Sequence, residues 1–156
     1  MSSDPMLLEA ALAYLHLIAI LTWVVFIGSS TALARTDWLN EAALARLAQV
    51  DRIAAIAAMA VLFTGIARVA FGIKGAAWYG AQPLLWAKLV LWLVMVIVGG
   101  RASRRIQGWQ RASVAGRGLP AADEVAAVRK RLMAASHLML IVPLVAVCLA
   151  RGIGVR

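Results

Sequence analysis

Four apolar stretches, residues 7–34, 53–71, 84–100 and 132–150, dominate a chain of 156 residues. Each approaches or exceeds the ~20 residues that a helix needs to cross a hydrocarbon core about 30 Å thick. Irregular backbone cannot face lipid, so four such stretches in succession predict helices whose peptide groups are satisfied internally. The expected fold is all-α, an integral-membrane four-helix bundle forming a single transmembrane domain over residues 1–156. Composition agrees: 15% of the residues are charged and 63% hydrophobic, where a soluble domain has about a quarter charged. A single cysteine, Cys148, excludes an internal disulfide and any multi-cysteine metal site.

Thr31, Ala32, Leu33 and Ala34 ahead of Arg35 imitate a signal-peptidase site. The apolar run before them is too long for a signal peptide, and Asp4 and Glu9 stand where a basic region would be, so the first span is expected to be retained. The net charge of +9 is unevenly divided. Eleven of the sixteen basic residues (Arg35, Arg46, Arg52, Arg101, Arg104, Arg105, Arg111, Arg117, Arg129, Lys130 and Arg131) fall at the ends of spans one to two and three to four or in the connections between them. Arg68, Lys74, Lys88, Arg151 and Arg156 fall on the other side. The positive-inside rule then puts the basic connections in the cytoplasm and both termini outside. Anionic membrane lipid accounts for the basic face, and nucleic acid is not an expected partner.

The connections carry signals of their own. Asp37 is suited to cap a helix over about 38–50 with Leu39, Leu44 and Leu47 on the membrane surface, with a plain linker as the alternative. Span three is expected to run on to Trp109 and Arg111, with Gly116, Gly118 and Pro120 marking the following turn. Trp78 and Tyr79 suit the interfacial aromatic belt, and Pro143 is expected to kink span four.

Ionisable side chains inside a span are costly and point to function, which selects His16, Arg68, Lys88 and His137. Counted from the cytoplasmic basic residues at ~1.5 Å per residue, His16 lies ~28 Å deep, Arg68 and Lys88 ~24 Å, and His137 only ~9 Å. Two axial ligands of one haem must share a depth, so a bis-histidine site on His16 and His137 is disfavoured. His16 and Lys88 do agree in depth, and a lysine amine that has shed its proton can ligate iron. His16, Ile20, Trp23 and Ile27 share one helical face, as do Lys88, Trp92, Met95 and Gly99. On span two Ala54, Ala58, Val61, Gly65 and Arg68 follow helical spacing along a mostly small-residue stripe. A flat aromatic ligand lined by Trp23, Trp92 and Met95, with acidic substituents on Arg68 and Lys74, fits this set. The alternatives are that Arg68 and Lys88 snorkel to headgroups and that a neighbouring hydroxyl or carbonyl satisfies His16. For His137 a structural hydrogen bond is expected. Met59, Met95, Met133 and Met139 are expected to pack rather than bind copper, and Cys148 to behave as a small buried apolar residue.

Residues 64–92, TGIARVAFGIKGAAWYGAQPLLWAKLVLW, together with Asp51-Arg52 and Trp109-Gln110-Arg111, resemble the bacterial membrane-protein family known as domain of unknown function 2214. That resemblance covers most of the chain and implies the bacterial inner (cytoplasmic) membrane as its location. More distantly, LHLIAILTWVVFIG (15–28) and WAKLVLWL (86–93) are similar to the first and third spans of the membrane protoporphyrinogen oxidases and copper-resistance D proteins. In the oxidases a first-span histidine and a third-span lysine are associated with b-type haem, and these correspond to His16 and Lys88. The resemblance implies a haem-dependent redox role, with porphyrinogen-like oxidation and a quinone or other electron carrier as partner. The competing expectation is a cofactor-free membrane subunit or a component of small-solute or metal transport, and the small-residue stripe on span two would serve a homo-oligomer as well as a single bundle.

Overall fold

The computed structural model describes residues 5–151; Asp4 and Arg156 lie outside the described residues. All regular structure within them is helical: α1 (Pro5–Leu33), α2 (Glu41–Phe71), α3 (Gly75–Gly80), α4 (Pro83–Val114), α5 (Ala122–Met139) and α6 (Ile141–Ala150). Three helices, α1, α2 and α4, are long and apolar enough to cross a membrane. Leu7, Leu15, Leu21, Val25, Ile56, Phe63, Val90 and Leu93 stand exposed along them, as side chains that meet lipid would.

The second helix departs from the sequence-based expectation. No separate surface helix occupies 38–50: a 3₁₀ turn at Thr36–Trp38 leads into α2, which then runs unbroken from Glu41 to Phe71. Asn40 caps it, its Oδ1 accepting from Ala43 N at 2.8 Å. Asp37 instead pairs with Arg35 at 3.3 Å, and the Arg35 guanidinium lies 4.7 Å from the Trp38 ring centre. Leu44 and Leu47 do not lie on a membrane surface. Both are wholly buried, packed with Ile106 and Trp109 of α4 and Val125, Val128 and Leu132 of α5. Helices α2, α4 and α5 thus form a closed apolar core at the end bearing the basic connections, called here the basic end. Arg105 and Glu124 tie α4 to α5 across it at 3.2 Å.

The fourth apolar stretch is divided. Helix α5 ends at Met139 and α6 starts at Ile141, so the break falls at Leu140, three residues before Pro143. Pro143 has no N–H for the Met139 carbonyl, and its ring crowds the preceding turn, so the break falls upstream of the proline. Gly116 and Gly118 take φ of 72° and 83° in the turn between α4 and α5, which L side chains rarely adopt. Pro120 lies just outside α5, before the Ala121 cap.

A second core cluster, Trp23, Ile27, Ala54, Ala57, Ala58, Met95, Ala135 and Met139, fills the middle of the molecule. Of the methionines, Met95 and Met139 pack inside while Met59 and Met133 are exposed, and Cys148 is half-buried rather than buried. Beyond Trp23, Ala58 and Met95 the helices enclose open space, and there the ionisable residues of the spans gather.

Candidate functional site

His16 projects from α1 onto α2, where its Nδ1 lies 2.8 Å from Thr64 Oγ1. The Thr64 hydroxyl is also 2.6 Å from the Ala60 carbonyl, which can only accept. Its single proton therefore goes to Ala60, and the hydroxyl accepts from His16 Nδ1–H. In the neutral ring this leaves the Nε2 lone pair without a partner among the described residues, as a ligand or base requires. Gly65 makes the approach feasible: a Cβ there would sit 3.3 Å from His16 Cε1.

The imidazole borders two cavities. The first, about 370 Å³, is walled by His16, Ile20, Trp23, Lys88, Trp92 and Met95 with further apolar side chains from α2 and α4. Trp92 is held in place by donating from Nε1 to the Ala58 carbonyl at 3.0 Å. The second, about 720 Å³, carries Glu9, His16, Arg68, Lys74, Tyr79 and Lys88. His16, Gly65, Val69, Leu85 and Lys88 line both, so an apolar chamber opens directly into a polar mouth at the end far from the basic connections.

Charge in the mouth is unbalanced. Arg68 pairs with Glu9 Oε1 at 3.2 Å, and Glu9 Oε2 accepts from Ile73 N at 3.1 Å. Arg68 Nε is enclosed and has no acceptor among the described residues. Lys74 lies 4.0 Å from the Trp78 ring centre. Among the described residues one carboxylate thus faces the basic side chains of Arg68, Lys74 and Lys88, which favours an acidic group on any occupant.

His16, Lys88, Arg68, Lys74, Trp23, Trp92 and Met95 all border this double cavity. His137 does not: it is exposed on α5, and its Nδ1–H donates to the Met133 carbonyl at 2.6 Å, a structural bond within its own helix. Glu9 and Thr64 were not singled out from sequence as site residues. Glu9 lies seven residues before His16, two helical turns on the same face, and that periodicity was a usable signal. A threonine that bonds its own helix gives none. Among the described residues no group of three or more His, Cys, Asp or Glu could hold a metal ion. His16 of α1 and Lys88 of α4 both line the apolar chamber and the polar mouth.

Long apolar helices with lipid-facing side chains and ionisable groups gathered inside define an α-helical membrane protein. The chain belongs to the family described as Predicted membrane protein (DUF2214), which matches residues 8–154. No curated protein and no solved structure matches it.

Proposed function

We propose that this protein is a multi-pass component of the bacterial inner membrane that binds b-type haem in the double cavity and acts in electron transfer. In this topology α5 and α6 together make the fourth span of a four-helix bundle, both termini are outside, and the cavity lies in the outer leaflet. The observation that carries the proposal is the Nδ1–H bond of His16 to Thr64, which leaves Nε2 free at the wall of an apolar chamber.

The residues fit the group. His16 would ligate the iron through Nε2, and Lys88 would supply a second ligand or a polar contact; Trp23, Trp92 and Met95 form apolar walls. Arg68, with its unpartnered Nε, and Lys74 would receive the propionates at the mouth. When bound, haem would supply a one-electron couple. The chain's part is to fix the imidazole tautomer, exclude water from the chamber and neutralise the acidic edge. If the protein is an enzyme, porphyrinogen-like oxidation is the nearest reaction class.

The test is the reduced-minus-oxidised absorbance spectrum of protein purified from haem-replete cells. Haem should be present, lost in His16→Ala and kept in His137→Ala. A colourless preparation with no extractable haem would overturn the proposal. It would favour the cofactor-free membrane subunit, in which the Glu9–Arg68 and His16–Thr64 contacts simply tie α1 to α2.

A further inference from the structure

A third cavity, about 220 Å³, lies toward the basic end. Ala55 and Met59 of α2 and Gly99 and Gly100 of α4 form part of its wall. Ala55 and Met59 are exposed on α2, one of the three helices long and apolar enough to cross a membrane, so the cavity opens laterally between α2 and α4, where a molecule dissolved in a bilayer could reach it. A Cβ on Gly99 or Gly100 would meet nothing within 4 Å, leaving a bare backbone surface against which a thin, flat group can lie.

The basic end of the groove is polar. Asp51 borders it, 4% exposed, with Oδ2 accepting from Ser103 Oγ at 2.6 Å and from Gln107 Nε2 at 3.1 Å. Its Oδ1 receives no donor, and no cation pairs with it, among the described residues. A carboxylate oxygen at the edge of a groove with no donor of its own favours an incoming hydrogen-bond donor and repels an anion. At the other end Trp23 and Met95 wall the groove, and the same two side chains wall the apolar chamber beside His16. The two spaces are therefore separated by a single layer of side chains.

We propose that this groove binds a lipid-soluble quinol, its ring against Gly99 and Gly100 and a ring hydroxyl donating to Asp51. Membrane solubility, a flat ring and a neutral donor follow from the groove. The choice of a quinol over other hydroxyl-bearing lipids rests on the redox function proposed above, because an electron carrier belongs one side-chain layer from the haem chamber.

The experiment uses the full chain in nanodiscs of quinone-free lipid. A photoreactive azidoquinol is cross-linked and mapped by peptide mass, with decylubiquinol and decylubiquinone as competitors. Saturable label within 51–59 or 95–103 is expected. Gly100→Leu, which fills open space, should abolish it. Asp51→Asn can still accept from Ser103 through its amide oxygen but presents N–H where Oδ1 stood. It should weaken decylubiquinol about tenfold or more while leaving decylubiquinone equal or tighter, a reversal that a purely structural Asp51 would not produce. Label confined to the His16 chamber, unsaturable label, or equal loss of both competitors in Asp51→Asn would overturn the assignment. If Gly100→Leu fails to fold, Asp51→Asn decides alone. Colourless protein with saturable groove label would end the haem reading and keep the groove; haem-loaded protein without that label would do the reverse.

Discussion

Replacing Thr64 with valine tests the His16 geometry directly, because the two side chains have nearly the same shape. The substitution removes the acceptor for His16 Nδ1–H and leaves the Ala60 carbonyl its ordinary helical partner, so one donor is orphaned and no acceptor is. An unsatisfied buried donor costs ~1–3 kcal/mol. His16 is half-buried, which puts the expected cost near the lower part of that range, about 1.4 kcal/mol. This corresponds to about tenfold weaker haem binding, at the lower end of the ~10–100-fold seen when the partner of a metal-bound histidine is lost. Titrating haem into purified apoprotein by absorbance gives the dissociation constant, with Thr64→Ser as the control that keeps the hydroxyl. A second readout needs no haem. The chain has two histidines, so histidine-selective 15N spectra of apoprotein should show His16 protonated at Nδ1 in wild type and a tautomer mixture in Thr64→Val. If Thr64→Val binds haem as wild type does, or if Thr64→Ser is equally weak, the hydroxyl does not orient the ring.

The packing yields three further expectations. Leu47→Ala should destabilise the detergent-solubilised protein by ~2–5 kcal/mol in reversible unfolding, because Leu47 is wholly buried between α2, α4 and α5; a loss below about 1 kcal/mol would place it back on a membrane surface. Glu9→Gln removes a pair whose side chains are 34% and 26% exposed, so the melting temperature should hardly move. Protoporphyrin with free carboxyls should bind ~2–5-fold tighter to that variant and its dimethyl ester no differently; equal changes for both would show that Glu9 does not compete for Arg68. Pro143→Ala should join α5 to α6 by restoring the bond from residue 143 N–H to the Met139 carbonyl, seen as new protection of that amide from hydrogen exchange. Continued rapid exchange there would mean that packing, not the proline, sets the break.

The residues that show α2 as one helix were visible in the sequence. Leu44, Leu47, Asp51, Ala54, Ala58, Val61, Gly65 and Arg68 follow each other at alternating spacings of three and four, with no change of phase. Division of this segment at Asp51-Arg52 came from treating a charged pair as a membrane boundary. A helix with its own buried stripe continues through such a pair, and here it carries the stripe into the packed core at the basic end. Depth counting placed His16, Arg68 and Lys88 together because rise per residue is nearly constant in a helix. It could not find Thr64, whose value depends on how α1 is rotated against α2. Nor could it show that Asp51 faces Ser103 and Gln107 across a helix interface, since those residues stand 52 and 56 positions away along the chain.

The contrast between a sealed basic end and an open far end follows from which polar groups each must accommodate. At the basic end most charges point into water, and leucine, isoleucine and tryptophan close the core beside Asp51, whose Oδ2 accepts from Ser103 and Gln107. At the far end, His16, Arg68 and Lys88 project from three different helices toward one interior. Among the described residues, Glu9 offers a single carboxylate in return. Arg68 has Glu9 and the His16 ring is neutral, so closing apolar side chains over that set would bury the Lys88 amine with no carboxylate partner among the described residues, at a cost of several kcal/mol if it is charged. Beyond the layer of Trp23, Ala58 and Met95, α1 and α2 stay tied to each other by His16–Thr64 and Glu9–Arg68, and the double cavity lies between that pair and α4. An acidic, flat occupant would supply both the missing counter-charge and the missing apolar contact. For that reason Glu9→Gln and Thr64→Val should alter ligand binding more than they alter the fold.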